Sequence, residues 1–533
     1  MKASTLPPGV GIQDTDGAVL ADIQGNILRG YNMRFVRHIV VRVADPDAAR
    51  ALIGAVVSGS DGTPTVTTAE TWEAGTKPAT CLNVGVTATG LQALGLPEDW
   101  LATFPEEFRQ GAAARAAKVG DVDGSAPEHW RDRLGEADNV HLMWTIHALD
   151  SKEELDALAA QIESAWRESG AFTVTSRLDG ATLDTYTQNE GDRDTVHFGY
   201  RDSISQPRFV VNGEYVGRAD SQPIATVGAV LLGRVGDGGG GAARSEHYRT
   251  TFPGVTWQMP EATLGNTTIE LGVNGCFNAF RALEQDVHAF EQFLDASART
   301  INQELSRRRN GAPTGASEPV WDKERVAAKL MGRWRNGVPL SLSHWTKEHG
   351  SEVRFQGPGL PPPMDQANLN DFDYPDEDAG LDDFDGIHCP MGAHIRRTNP
   401  RGSQIVQRSA NYTRPLVRRG MPYGPPYDAA NPDDGQHRGL LGNFLCASLI
   451  AQYEAVMYDW ANLGLQDPRI VGTNDPIIGA NRPATSRFEI PMDDAEPIVL
   501  SGFPRFTETA AAIYLFCPSV TTLRFLADLR PAP

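Results

Sequence analysis

A short segment at residues 389–401 combines residue types that bind a metal and an organic anion. It places His394 behind a turn of small residues and follows it with Arg396, Arg397 and Arg401. A neutral imidazole is a common ligand of transition metals, and guanidinium groups are the preferred partners of carboxylates. Haem would satisfy both, since it carries a metal and two carboxylates. A basic loop with an ordinary core histidine is the alternative that the segment alone leaves open.

Two further segments carry charged residues in turn-like surroundings. Asp202 lies in a Gly/Ser/Pro segment at 197–207, and Arg418 lies at 416–424, only 24 residues past His394. An aspartate in such a segment is usually a turn former, and an Arg-Arg-Gly sequence usually ends a solvated helix. Neither segment indicates chemistry by itself.

The composition excludes some classes of partner. The 533 residues include 48 basic and 68 acidic side chains, which gives a net charge of −20. That charge argues against a nucleic acid or an anionic membrane surface as partner. Five cysteines without a C-x-x-C pair argue against a disulfide framework or a thiolate zinc site. No apolar run approaches 20 residues and no signal segment is recognised, so a cytoplasmic protein is expected.

The elements that must position these residues begin with a ferredoxin-like pattern. The first half reads β-α-β-β-α-β, with a capping box at Ser151 and Glu154 before its second long helix. That order predicts an antiparallel sheet with helices on one face, and hence an α+β fold. The predicted strands are 33–43, 81–86, 139–148 and 172–175, with helices at 46–57, at 89–94 and after Ser151.

The second half is predicted to repeat the α+β plan after a glycine-rich linker. The chain is divided into a flexible leader at 1–20, an N-terminal domain at 21–235, a linker at 236–260 and a C-terminal domain at 261–533. The predicted elements of the C-terminal domain are strands at 275–281 and 511–516, helices at 284–294, 326–334 and 519–528, and an apolar, helix-like stretch at 440–458.

Taken together, the motifs resemble those of the dye-decolourising peroxidases, a haem family, in their longer form. The resemblance covers most of the chain, and the His394 segment is its most specific part. It is carried by residues 22–26, 199–202, 331–335, 389–401, 418–424 and 523–527. It implies two ferredoxin-like domains in a dimeric α+β-barrel-like arrangement, with one haem b per chain in the C-terminal domain.

The resemblance also implies roles for individual residues. His394 matches the proximal haem ligand, Asp202 the distal acid and Arg418 the distal arginine, while Arg401 and Gln206 match positions that bind the cofactor. Asp202 would move a proton between the two oxygens of hydrogen peroxide, and Arg418 would stabilise the charge on the departing oxygen. His394 would donate its second ring N–H to a carboxylate. The candidates for that carboxylate are Asp475, Glu489 and Asp493.

Two departures from the family pattern bear on the distal pocket. Ser203 stands where the family usually has glycine, and Gly442 and Asn443 interrupt a run that is usually rich in phenylalanine. Replacing an aromatic residue by glycine opens volume, and asparagine adds a polar group that needs a partner. A local shift of register is the other interpretation of the interrupted run.

The sequence therefore predicts a haem peroxidase that oxidises dyes or phenolics with hydrogen peroxide in one-electron steps. Two other functions stay open. One is a haem-dependent oxygenase or peroxygenase acting on a specific metabolite, which Gly442 and Asn443 alone favour. The other is a haem-binding or haem-handling protein without turnover. The oligomeric state is also left open, with a homo-oligomer as one option.

Overall fold

The computed structural model describes most of the chain in several stretches. The predicted leader lies outside the described residues except for its last two positions, and the predicted linker lies outside except for residues 257, 259 and 260. The described residues are 19–183, 195–211, 214–216, 224–234, 257, 259–309, 321–343, 357–365, 368–370, 372–376, 381–402, 414–492 and 495–529.

Strands and helices alternate along both halves of the described chain. The strands are β1 (Phe35–Val43), β2 (Thr80–Val86), β3 (Leu142–Ala148), β4 (Phe172–Ala181), β5 (Arg208–Val211), β6 (Glu214–Val216), β7 (Ile224–Thr226), β8 (Glu261–Leu264), β9 (Thr267–Glu270), β10 (Cys276–Gln285), β11 (Pro375–Asp376), β12 (Leu381–Asp382), β13 (Val417–Tyr423), β14 (Gly439–Cys446), β15 (Arg487–Met492), β16 (Ala495–Ser501) and β17 (Thr507–Cys517). The helices are α1 (Gly25–Leu28), α2 (Pro46–Ser58), α3 (Ala88–Ala93), α4 (Glu98–Leu101), α5 (Glu106–Arg115), α6 (Lys152–Ser169), α7 (Val287–Arg308), α8 (Lys323–Met331), α9 (His394–Thr398) and α10 (Val520–Ala527).

Eight strands form one antiparallel sheet that joins the two halves. Its order is β13-β14-β10-β17-β2-β3-β1-β4, and the halves meet where Phe516 of β17 pairs with Val86 of β2. Within each half, the first and third strands are central and the second and fourth lie at the sides, which is the ferredoxin-like order. The predicted α+β fold with two ferredoxin-like, antiparallel sheets is confirmed.

Local sequence signals explain where the long helices begin. One half of the predicted capping box is present, since the Ser151 hydroxyl accepts a hydrogen bond from the Glu154 amide at 3.2 Å, while in the described residues the Glu154 side chain makes no return bond to the Ser151 amide. Asp45 caps α2 in the same way through the Ala48 amide, and proline follows it in the first turn. The buried face of α6 carries Leu155, Ala159, Ile162 and Trp166, as its helical spacing predicts. None of the described helices is long and apolar enough to cross a membrane.

The interpretation of 440–458 as one apolar helix is wrong. Residues Gly439–Cys446 form β14, and π-helical turns follow at Leu449–Glu454 and Val456–Asn462. β14 lies between β13 and β10 and is buried on both faces. Its apolar residues therefore point to both faces and do not alternate with polar ones. The helix predicted at 284–294 begins only at Val287, because the Asp286 side chain caps it.

A buried histidine in the core makes the fold sensitive to acid. His38 of β1 is fully buried and contacts the Thr145 hydroxyl through Nδ1 at 2.9 Å. Burial, aided by the nearby His147, lowers the pKa of His38 to about 3. Because its ordinary pKa is about 6.5, the unfolded chain takes up the proton first as the pH falls.

We therefore expect His38 to make the free energy of unfolding fall between pH 6.5 and pH 5 by about 2 kcal/mol. The loss should level off below the folded pKa of about 3. Urea unfolding of the wild type and of His38→Asn at both pH values measures the part of this fall in the free energy of unfolding that is due to His38. An identical pH dependence in the two proteins would contradict the expectation.

Candidate active site

One cavity of about 280 Å³ brings the predicted site residues together. Its walls come from the loop after Arg201, from α9, and from the cavity-facing sides of β10, β13 and β14. Residues that are far apart in the sequence therefore line the same cavity. The predicted residues that line the cavity are Asp202, Gln206, His394, Arg401 and Arg418.

Of the candidate partners for His394, the structure selects Asp475, while Asp493 lies outside the described residues. Asp475 accepts a hydrogen bond from His394 Nδ1 at 3.0 Å, and its side chain is fully buried. Its other oxygen accepts from the amides of Ile477 and Ile478 at 2.8 and 3.0 Å. Burial opposes the charge of Asp475, but His394 and its hydrogen bonds hold the pKa of the carboxyl below its ordinary value. The imidazole is therefore oriented by an anion on its Nδ1 side.

Arg396 and Arg397, next to His394, bind backbone and side-chain groups of the neighbouring turns. Arg397 is fully buried and donates to the carbonyls of Gly392, Trp460 and Thr473 at 3.0 to 3.1 Å. Arg396 pairs with Asp383 at 3.0 Å. These two cations tie α9 to the turns around it, which include the segment leading into Asp475. Of the three arginines in the motif, only Arg401 lines the cavity.

The loop that carries Asp202 is anchored on both sides. The amide before it, that of Arg201, donates to the Arg335 carbonyl at 2.8 Å, and Ile204 after it is buried. Among the described residues, the Asp202 carboxylate has no hydrogen-bond or ion-pair partner. It is half-buried and lines the cavity, so it is placed to exchange a proton with a bound molecule.

Ser203 adopts a left-handed backbone conformation with a φ of +58°. Glycine tolerates this conformation without a steric penalty, so the backbone of Ser203 is strained where a glycine would not be. Its neighbour Asp202 is therefore held by a backbone that a bulkier side chain would disturb.

We expect Ser203→Gly to change the free energy of unfolding by less than about 0.5 kcal/mol, because relief of strain and added freedom of the unfolded chain offset each other. Ser203→Val should lose at least about 1 kcal/mol, since a β-branched residue fits this conformation poorly. Chemical denaturation of both variants compares them directly. Equal stability of the valine variant and the wild type would show that the loop does not need this conformation.

Gln206 pins the same loop to the edge of the sheet. Its side-chain amide donates to the Arg418 carbonyl at 2.7 Å and accepts from the Arg418 amide at 3.1 Å. The Arg418 guanidinium donates to the carbonyl of Ser205. Because β13 is an edge strand, the glutamine takes the place of a neighbouring strand. Asp202 and Arg418 are thereby held on one connected unit.

A second arginine pair lies beside Asn370. Arg401 is buried and donates to the carbonyls of Asn370 and Phe372 at 2.9 and 3.1 Å. Arg333, also buried, donates to the carbonyl of Leu369 at 2.7 Å. Burial, followed by the charge of Arg401, lowers the pKa of Arg333 to about 9. A carboxylate bound next to these cations would offset their repulsion. Arg333 was not assigned a role from the sequence, although it lies in the matching motif at 331–335.

The interrupted run forms strand β14, which pairs regularly with β10 and β13. Leu440, Gly442 and Phe444 line the cavity from β14, and Gly442 pairs with Gly420 of β13. Asn443 finds its partner in Asn278, whose side-chain amide donates to it at 2.8 Å. The glycine therefore opens space at the cavity wall, while the asparagine is satisfied within the sheet.

The donor set of the cavity fits haem better than a bare metal ion. His394 is 19% exposed, and among the described residues its second ring nitrogen has no hydrogen-bond partner. Groups of three or more His, Cys, Asp or Glu side chains that could hold a metal ion are not found in the described stretches. One imidazole, two buried arginines and apolar walls are the contacts that an iron porphyrin with two carboxylates requires.

Comparisons with known proteins agree with this fold. The family pattern described as the DyP dimeric alpha+beta barrel domain matches residues 22–182. A dye-decolorizing peroxidase of Mycena epipterygia is 28% identical over 89% of this chain and 78% of that protein. The multifunctional dye peroxidase DyP2 of Amycolatopsis sp. is 26% identical over 84% of this chain and 82% of that protein.

The fold comparison extends over nearly the whole chain. The solved structure of a fungal DyP-type peroxidase from Auricularia auricula-judae superposes with a TM-score of 0.69 at 23% identity, covering 96% of this chain and 99% of that one. At this identity the superposition establishes the fold. Together, the matched domain, the relatives that align over most of the chain and this superposition lead to one conclusion: the chain is similar in sequence and fold to the dye-decolorizing peroxidases.

Proposed function

We propose that this protein is a haem peroxidase that uses hydrogen peroxide to oxidise organic donors such as dyes and phenolics in one-electron steps. The observation that carries the proposal is the shared cavity, in which an imidazole oriented by Asp475 lies with the Asp202 carboxylate and with Arg418. The named relatives support it, since they are dye-decolorizing peroxidases. One related structure contains 2,6-dimethoxyphenol, a small phenol.

One haem b per chain would be held by His394, with Arg333 and Arg401 available for its carboxylates. When bound, haem supplies an iron that binds peroxide and passes electrons from the donor. Asp475 would keep the Nδ1 proton of His394 in place and so present the other ring nitrogen to the metal. Arg397 would fix the distance between this helix and the turn that carries Asp475.

Asp202 would move the proton that peroxide cleavage requires. Its carboxylate takes the proton from the near oxygen of peroxide and returns it to the far oxygen, which leaves as water. Arg418 stabilises the negative charge that develops on the leaving oxygen. Two donor molecules then each supply one electron and one proton, so that one peroxide is reduced to two waters.

A second candidate function is oxygen transfer to a substrate held inside the cavity. Gly442 at the cavity wall favours it, because a residue without a side chain lets an organic molecule lie close to the sheet beside the peroxide. Peroxide labelled with heavy oxygen separates the two functions. The label appears in the organic product under oxygen transfer and only in water under the peroxidase function. A haem-handling protein would leave both the peroxide and the donor unchanged.

The decisive experiment is peroxide-dependent oxidation of 2,6-dimethoxyphenol and of an anthraquinone dye by the haem-loaded protein. The wild type should turn over both donors, and His394→Ala should lose the iron–histidine band in resonance Raman together with its activity. A wild type that binds haem but oxidises neither donor overturns the proposal. An unchanged iron–histidine band in the alanine variant would remove His394 from its role.

The remaining expectations about partners stay predictions. They are peroxide and a small organic donor as substrates, the absence of nucleic-acid and membrane partners, and a cytoplasmic location. Size-exclusion chromatography with light scattering would settle whether the protein is a homo-oligomer.

A further inference from the structure

The cavity wall contains a shallow channel formed by two glycines on neighbouring strands. Gly420 of β13 pairs with Gly442 of β14, and Gly442 pairs on its other side with Arg281 of β10. All three residues line the cavity. Because neighbouring strands lie about 4.8 Å apart, the row from Gly420 to Arg281 spans about 10 Å. We name the surface made by Gly420 and Gly442 the glycine channel.

The glycine channel has room for a flat molecule. A Cβ at Gly420 would meet its nearest atoms, in Leu440 and Asp202, at 3.6 and 3.7 Å, which are ordinary contact distances. A Cβ at Gly442 would meet the Phe444 ring at 3.0 Å, which is tighter than an ordinary contact, so the channel is open over Gly420 and is bounded by the Phe444 ring at Gly442. Leu440 and Phe444, on either side of Gly442 along β14, supply apolar edges. The channel therefore begins beside the Asp202 carboxylate and suits an aromatic ring.

The far end of the channel is a buried polar cluster. The side chains of Arg281 and Asp121 are 5% and 3% exposed and form an ion pair. Arg281 Nη1 donates to the Tyr453 hydroxyl at 2.7 Å, and the Thr509 hydroxyl donates to Asp121 at 2.6 Å. Burial opposes the charge of Arg281, but Asp121 and Tyr453 hold the pKa of the guanidinium above its ordinary value. The guanidinium of Arg281 is therefore charged and lies against Asp121.

Arg505 adds a positive charge to this end. It is half-buried, lines the cavity and donates to the carbonyls of Gly120 and Val122 at 2.6 and 3.1 Å. In the described part of the chain no carboxylate lies within ion-pair distance of it. Burial lowers the pKa of Arg505 in spite of the charge of Asp121. An anion at this end would therefore be stabilised.

The charge of the whole cavity also favours an anionic ligand. Among the described residues, seven arginines but only two carboxylates, Asp121 and Asp202, line the cavity, although the chain carries a net charge of −20. The two carboxylates of haem would neutralise only part of this excess. A cleft lined by arginines raises the local concentration of anions, whereas the remaining surface of an acidic protein repels them.

We propose that the glycine channel binds the organic donor and that this donor is an aromatic acid. Its ring lies over Gly420 and against the Phe444 ring beside Gly442, its carboxylate meets Arg505 beside the Arg281–Asp121 pair, and its hydroxyl points toward Asp202. The proposal rests on the proposed peroxidase function for its chemistry. Each molecule of the acid gives up one electron and its hydroxyl proton, and two molecules reduce one peroxide to two waters.

Binding measured without peroxide tests the channel separately from turnover. Isothermal titration of the haem-loaded protein with para-hydroxybenzoate and with the uncharged para-hydroxybenzamide should show at least about tenfold tighter binding of the acid. Arg505→Gln should remove this preference and leave the amide affinity as it is. The matched control is Arg524→Gln on the exposed face of α10, which should keep the preference of the wild type.

Filling the channel tests its shape. Gly442→Leu should weaken binding of both ligands by about tenfold or more, since its side chain occupies the place of the ring. Gly442→Ala, which needs only a small movement of Phe444, gives an intermediate loss if the leucine variant does not fold. Equal wild-type affinities for acid and amide, or unchanged binding in both Gly442 variants, would overturn the proposal. A protein that prefers the acid but fails to turn over would instead overturn the peroxidase function alone.

Discussion

Asp202→Asn is expected to lower kcat/KM for hydrogen peroxide by about 10²- to 10⁴-fold, the contribution of a positioned proton-transfer group. Asparagine keeps the shape of the side chain but does not accept a proton at neutral pH. Because the wild-type carboxylate has no partner among the described residues, the substitution breaks no structural ion pair there. Steady-state rates at saturating donor and varied peroxide measure the effect.

A matched control separates this effect from a loss of fold. Asp385→Asn changes an aspartate that is 79% exposed and far from the cavity lining, and its rates should equal those of the wild type. Haem content and thermal stability of both variants should match the wild type. A loss of less than threefold in Asp202→Asn would mean that another group moves the proton.

Asp475→Asn is expected to lower activity or haem affinity by about 10- to 100-fold, the usual effect of removing the partner of a metal-binding histidine. The asparagine has one acceptor oxygen, so it can accept a hydrogen bond either from His394 or from the Ile477 amide, and it would supply no negative charge. The iron–histidine stretching frequency in resonance Raman should fall with it, because the imidazole becomes a weaker donor. A side chain with a merely structural role would leave that frequency unchanged.

The neighbouring Asp467 provides the control for this prediction. It is equally an aspartate in the turns after the π-helical stretch, it is buried, and it pairs with Arg469 at 2.7 Å instead of with His394. Asp467→Asn should leave the iron–histidine frequency where it is in the wild type. Asp475→Glu should bring the iron–histidine frequency part of the way back to the wild-type value, since it returns the negative charge at a slightly different position. The same fall in frequency in Asp467→Asn would show that the turn, and not the charge, controls His394.

Features set by local chemistry were predicted from the sequence. The capping box at Ser151 and the buried face of α6 follow from side chains within a few residues of each other, so their pattern is visible without a fold. The β-α-β-β-α-β order and the motifs around Asp202, His394 and Arg418 are likewise properties of short segments. The resemblance to the dye-decolorizing peroxidases, and with it the ferredoxin-like fold, could therefore be inferred before any contact was known.

Features set by contacts between distant segments were decided only by the tertiary structure. The choice of Asp475 over Glu489 depends on Arg397, which draws the turn at Thr473 against α9 across 76 positions of sequence. Strand β14 was mistaken for a helix because burial on both faces removes the alternation that marks a strand. The glycine channel depends on register, since Gly420, Gly442 and Arg281 become neighbours only when three strands pair. Sequence spacing identifies a residue's chemistry, but the pairing of strands and the packing of turns determine which groups face each other across a cavity.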